Sequence, residues 1–209
     1  VTGTPIHYDP ETHTYTKTDE QGSPLEISGV TSLLESAGLI SQFYKNEQAR
    51  VFGQIGHDTM RLLLRDELGE YDPAFEPWME GMQAFIQDCQ PGEIVALDDT
   101  IVHSEKYGYA GRPDYIGQAF IRKMGRGRGL YDLDWKFWAN ATEAQLDNAE
   151  LQLEAYSKAA LEMELITTVP KNAVVHFLPG EYQIHPLNDP AAWTVFVSCL
   201  NIRRWKERH

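Results

Sequence analysis

Residues 130–138, Leu-Tyr-Asp-Leu-Asp-Trp-Lys-Phe-Trp, put charges inside a stretch that otherwise reads as a β-strand. Leu130, Tyr131, Leu133, Trp135, Phe137 and Trp138 carry β-propensity, while a period of two sends Asp132, Asp134 and Lys136 to one face. A buried sheet rejects such groups unless they are paired. Two arrangements tolerate them: a solvated, ion-paired strand at a sheet edge, or a site where the carboxylates hold a cation and the lysine faces an anionic ligand.

Length and composition bound what can surround this strand. A chain of 209 residues accommodates one α/β domain with appendages, read here as a single domain over residues 1–209. No segment approaches the roughly 20 apolar residues of a membrane span, so no membrane partner is expected. Cys89 and Cys199 stand alone without a CxxC motif, which indicates neither structural zinc, an iron-sulfur cluster nor a disulfide framework, and makes a reducing cytoplasm the expected compartment. The formal net charge of −13 argues against a generic nucleic-acid coat, whose binding is driven by many lysines and arginines. An enzyme that holds metal ions with carboxylates and grips the backbone through one local basic patch can still be acidic overall. Arg122, Lys123, Arg126 and Arg128 form one such cluster, and Arg203, Arg204, Lys206 and Arg208 another. Each is either a phosphate-gripping patch or a set of solvated charges at a loop or helix end.

In chain order, residues 6–27 predict a β-hairpin or meander, with turns at Asp9-Pro10-Glu11 and around Asp19 to Gly22. Val30, Leu33, Leu34 and Ala37 predict a short helix closed by Gly38, followed by a longer helix over residues 41–68. On the longer helix Gly53, Gly56, His57, Met60 and Leu64 share a face, and the two glycines imply that a backbone or a ligand comes close. His57 is either a hydrogen-bonded histidine at the core edge or a metal ligand. Asp72-Pro73 starts a helix carrying Trp78, Met82, Phe85 and Ile86. Residues 94–97 and 101–105 read as strands joined by a turn at Asp98-Asp99. Pro113 removes a ladder donor and sets Asp114 at a strand start or bulge, where its carboxylate is expected to be exposed. Glycines 125, 127 and 129 make the basic connection into the charged strand flexible. Asp114 and Asp134 then fall on neighbouring strands, from which carboxylates can converge on a divalent cation.

Thr142 and Gln145 form a capping box that opens a helix reaching about Ile166. Gln152 and Tyr156 project together from its otherwise apolar stripe, and the glutamine calls for a polar partner such as the acidic strand or a bound phosphate. Residues 173–178 and 182–185 predict a strand pair across Pro179-Gly180, with His176 and His185 unassigned, and Asp189-Pro190 opens a last helix with Trp193, Phe196, Val197 and Leu200 inward.

Taken together, Gly53 to His57, Asp114 behind Pro113, Asp134-Trp135-Lys136 and Gln152 to Tyr156 resemble the ordered signature of the PD-(D/E)XK nuclease superfamily, in its RecB-like exonuclease branch. That pattern is Gly-x-x-x-His on a helix, an acidic residue on one strand, D-x-K on the next, and Gln-x-x-x-Tyr on the following helix. The opening, Tyr8-Asp9-Pro10-Glu11-Thr12-His13 and then Val30-Thr31-Ser32-Leu33-Leu34, is also similar to RecB-like nucleases encoded by bacteriophages. The match spans roughly residues 6–165. D-x-K alone is common by chance; the signal lies in four elements occurring in order.

The resemblance implies an α/β fold with a restriction-endonuclease-like core, a central mixed β-sheet flanked by helices, an N-terminal hairpin over residues 1–28 and a C-terminal helix over 189–209. It implies a metal-dependent deoxyribonuclease, an exonuclease in phage DNA replication, recombination or repair, with DNA and phage recombination or replication proteins as partners and the host cytoplasm as its place. His57, Asp114, Asp134 and the carbonyl of Trp135 would hold one Mg²⁺ or Mn²⁺, with Glu105 serving a second. Lys136 would clamp the phosphate and orient water, Gln152 and Tyr156 would position the reactants, and Arg122, Lys123, Arg126 and Arg128 would contact DNA. The cysteines of the iron-sulfur subgroup are absent, so that cluster is not implied. The competing expectation is a noncatalytic DNA-binding or assembly module that retains the same fold.

Overall fold

The charged strand lies in the middle of a sheet, not at its edge. In the computed structural model, which describes residues 6–10, 12–19, 21–40 and 47–209, ten strands form two five-stranded sheets. The strands are β1 (Ile6–Asp9), β2 (Thr14–Thr18), β3 (Pro24–Gly29), β4 (Gly92–Leu97), β5 (Val102–Ser104), β6 (Tyr109–Gly111), β7 (Tyr115–Ala119), β8 (Gly129–Lys136), β9 (Lys171–Leu178) and β10 (Glu181–Leu187). One sheet has the order β1-β2-β3-β6-β5 and the other β10-β9-β8-β7-β4. Both are mixed: β3 pairs parallel with β6, and β8 pairs parallel with β9. The expected N-terminal hairpin is present as the antiparallel pair β1-β2, and β3 joins it to the rest of its sheet by pairing with β6.

Among the described residues five α-helices cover the sheets: α1 (Val30–Ser36), α2 (Glu47–Leu64), α3 (Glu76–Cys89), α4 (Glu143–Glu162) and α5 (Ala192–Lys206). Alternation along β8 divides its neighbours. Tyr131, Leu133 and Trp135 pack with Met60 of α2 and Met82 and Phe85 of α3. On the other side Leu151, Ala155 and Ala159 of α4 join Ile116 of β7, Leu33 of α1 and Phe196 of α5. That second side is where Asp132, Asp134 and Lys136 point, so α4 covers the charged face.

Local signals set most of the elements. The Thr142 hydroxyl accepts from the Gln145 N–H at 3.4 Å and the Gln145 side chain accepts from the Thr142 N–H at 3.0 Å, the reciprocal cap expected at the start of α4. The helix expected over residues 41–68 is described from Glu47 and stops at Leu64, because Asp66 turns into the left-handed region at φ 57°; residues 41–46 lie outside the described residues. β4 and β5, expected as strands joined by a turn at Asp98-Asp99, belong to different sheets, and that turn carries the chain from one sheet to the other.

Gly81 of α3 marks the tightest contact with β10. A Cβ there would stand 2.4 Å from the Glu181 carbonyl oxygen, a backbone atom with no rotamer to yield. Gly81→Ala is expected to lower unfolding free energy by on the order of 1–3 kcal/mol, read from denaturant midpoints at constant slope.

Candidate active site

β7 and β8 run antiparallel, with Tyr115 opposite Leu133. One further step along that register sets Asp114 across from Asp134. Pro113 cannot extend the ladder, so past Leu133 the Trp135 N–H loses a backbone carbonyl to bond and donates instead to the Asp114 carboxylate, 2.7 Å from Oδ2. This bond draws Asp114 inward. The exposed carboxylate expected from the Pro113 break is in fact 8 % exposed.

Helix α2 brings His57 to the same point. Its Nδ1 lies 3.1 Å from Asp114 Oδ1. The approach depends on Gly56, where a Cβ would fall 2.4 Å from the ring of Phe137, the residue that follows β8. Gly53, by contrast, has open space where its side chain would be. Lys136 folds back along its own strand onto Asp134, its Nζ 2.9 Å from Oδ1 and 2.7 Å from Oδ2. His57, Asp114, Asp134 and Lys136 thus form one connected group from two strands and a helix.

Electrostatics separate the two carboxylates. Burial alone pushes Asp114 up, but His57 beside it and Lys136 nearby outweigh that and hold it at about 2. Asp134, buried and facing the Asp114 charge, is pushed up to about 7 despite Lys136. Burial works against a charged His57, yet the Asp114 carboxylate holds its pKa above the ordinary histidine value. Asp132 is fully buried with the Ser157 hydroxyl 2.9 Å from Oδ2, and desolvation raises it well above the carboxylate range.

Two facing carboxyl groups, one held ionised and the other driven toward its proton, offer oxygens of the kind that a hard divalent cation takes as ligands. His57 adds an imidazole suited to Mn²⁺. Among the described residues no group of three or more His, Cys, Asp or Glu side chains is placed to hold a metal ion. The Asp114 and Asp134 oxygens face the Trp135 N–H, His57 and Lys136.

Other expected site residues are distributed unevenly. Tyr156 is buried on α4, where a Cβ on Gly111 would come within 2.3 Å of its ring; desolvation, with Asp134 and Asp114 nearby, raises its pKa. Gln152 finds its polar partner on α1, its Nε2 3.3 Å from Thr31 Oγ1, rather than on the acidic strand. Glu105 is exposed in the turn after β5, at the end of the β5–β6 hairpin opposite Gly111, and is not brought to the carboxylate pair. Asp98 occupies the neighbourhood instead: burial and Asp114 raise its pKa, while Arg112 and His57 pull it down. Its visible signal was an Asp-Asp pair closing a strand, which reads equally as a turn.

Arg122, Lys123, Arg126 and Arg128 are exposed on the β7–β8 connection. Six residue steps of extended chain separate Arg128 from Asp134, about 20 Å, so this loop stands at the far end of the sheet from the carboxylates. His176 is buried, its Nε2 2.8 Å from the Trp138 carbonyl oxygen, with the His185 ring 6.0 Å away. No helix among the described residues is long and apolar enough to cross a membrane. Compared with known proteins, the chain matches no family model and no curated sequence.

Proposed function

We propose that the protein is a metal-dependent deoxyribonuclease of the RecB-like PD-(D/E)XK kind, with a restriction-endonuclease-like core, acting as an exonuclease in phage DNA replication, recombination or repair. The observation that carries this reading is the meeting of Asp114 and Asp134 from adjacent strands with Lys136 and His57 at their rim. A purely structural ion-pair cluster has no need to set two carboxylates face to face in a buried place.

Asp114, Asp134, His57 and the Trp135 carbonyl are the groups that would hold Mg²⁺ or Mn²⁺, with Asp98 better placed than Glu105 to serve a second ion. Such a cation supplies a water of lowered pKa and a counter-charge for the phosphoryl oxygens. The chain's own residues supply position. The Trp135 N–H and His57 lock the Asp114 carboxylate in one orientation, and Lys136 carries an ammonium beside Asp134, where it orients the attacking water and offsets charge growing on the scissile phosphate. Tyr156 closes the wall opposite β6, and Gln152, tied to Thr31, fixes α1 against α4 at the rim.

The test is incubation of pure protein with labelled DNA. Cleavage appears with Mg²⁺ or Mn²⁺, disappears with EDTA, and consumes end-labelled linear DNA while sparing a closed circle. Full activity in EDTA overturns the reading. DNA binding that ignores both Mn²⁺ and Asp114→Ala, with no cleavage, identifies a noncatalytic module instead.

A further inference from the structure

We propose that Arg112 grips the phosphodiester next to the one that is cut. This inference rests on the nuclease reading and adds to it a second point of backbone recognition. Arg112 lies in the Gly111-Arg112-Pro113-Asp114 segment that delivers the first carboxylate, so its Cα is at most about 7 Å from that of Asp114.

The guanidinium is held in a way that leaves its charge available. Its Cζ lies 4.0 Å from the centre of the Tyr8 ring, and the Tyr15 hydroxyl lies close enough to feel its charge. Its ion pair with Asp98 is loose: Nη2 is 3.9 Å from Asp98 Oδ1, beyond hydrogen-bonding distance. Two nearby arginines differ. Arg61 of α2 is bonded to Asp58, and Arg65, just past the end of α2, to Asp99. An aromatic face and a neutral phenol orient a guanidinium without cancelling its charge, and an oriented planar fork is the usual receptor for two oxygens of one phosphate.

The surroundings create a need for such a group. Asp98, Asp114 and Asp134 cluster carboxyl groups where a polyanion must approach. The basic loop carrying Arg122 and Arg128 is at the other end of the sheet, so it cannot hold a phosphate beside the reacting one. Arg112, 28 % exposed in its side chain and part of the segment that carries Asp114, can. In the alternative role Arg112 merely staples β1 and β2 to the core, and the experiment separates the two.

The wild type, Arg112→Ala, Arg112→Gln and Arg112→Lys are assayed with Mn²⁺ on oligonucleotides carrying one uncharged methylphosphonate at successive positions around the scissile bond. Arg112→Ala is expected to lower kcat/KM on the order of 10- to 100-fold, mostly through KM, with Arg112→Lys recovering part of the loss. One neutral position costs the wild type a similar factor and costs the alanine or glutamine variant little, because the two changes remove the same contact. Tyr8→Leu weakens the wild type but adds little to Arg112→Ala. Arg112→Gln keeps the test usable where alanine impairs folding. Wild-type cleavage with no neutral position that loses its effect in either variant overturns the role of Arg112 and leaves the nuclease reading standing. A wild type that cleaves no DNA with either metal overturns both.

Discussion

Lys136→Ala is expected to lower DNA cleavage on the order of 100-fold or more while the protein stays folded. The side chain is 20 % exposed, at the end of β8, and its ion pair is with Asp134 on the same strand, so truncation opens no core cavity. What is lost is an oriented positive charge where the transition state is most anionic, and removing one such group typically costs two to three orders of magnitude. Lys136→Arg should not restore full activity, since a planar fork does not reproduce a compact ammonium at the same place. Single-turnover rates at saturating Mn²⁺, with circular dichroism as the control for folding, make the comparison. Full activity in the alanine variant removes Lys136 from the chemistry.

Stability of the metal-free protein falls as the pH rises from about 4 to 8. Asp134 has an ordinary carboxyl value of 3.8 when unfolded and about 7 when folded, so the folded state keeps its proton longer and raising the pH across that window withdraws stability. Asp132, raised by burial, acts in the same sense. His57, raised by Asp114, contributes stability below its unfolded value that is lost as the pH climbs through its folded one. Asp114 opposes them only in acid: held at about 2, it contributes stability above 3.8 that disappears as the pH falls toward 2. Stability therefore peaks in mild acid and declines by on the order of a few kcal/mol toward pH 8. Denaturant unfolding in EDTA at several pH values measures the slope. Asp134→Asn should flatten it and leave the protein more stable than the wild type at pH 8, while abolishing cleavage. A wild type whose stability rises steadily from pH 4 to 8 contradicts this description of the pair.

Much of the site was legible because it sits on regular elements with short-range signals. The period of two in β8 put Asp132, Asp134 and Lys136 on one face, and Gly56 beside His57 announced a close approach that Phe137 fulfils. The capping box of α4 placed Gln152 and Tyr156 correctly on a helix. What stayed hidden depended on long-range pairing. Nothing local in residues 102–104 distinguishes a partner in β6 from one in β4, so two sheets read as one with a hairpin, and Asp98 read as a turn residue. The burial of Asp114 required knowing that the Trp135 N–H would lack a carbonyl. Arg122 to Arg128 precede the acidic strand so closely that they look adjacent to its carboxylates, yet an extended strand moves its two ends apart faster than any other element.

The carboxylate pair itself is tested most directly by calorimetric titration of the metal-free protein with Mn²⁺ at pH 6.5 and pH 9, in buffers of different ionisation enthalpy. Binding is expected at both values. Protons are released at pH 6.5, where Asp134 still carries one, and far fewer at pH 9, where it does not. Asp134→Asn should abolish both the binding and the release. No Mn²⁺ binding by the wild type, or binding unchanged in that variant, contradicts a cation site between Asp114 and Asp134.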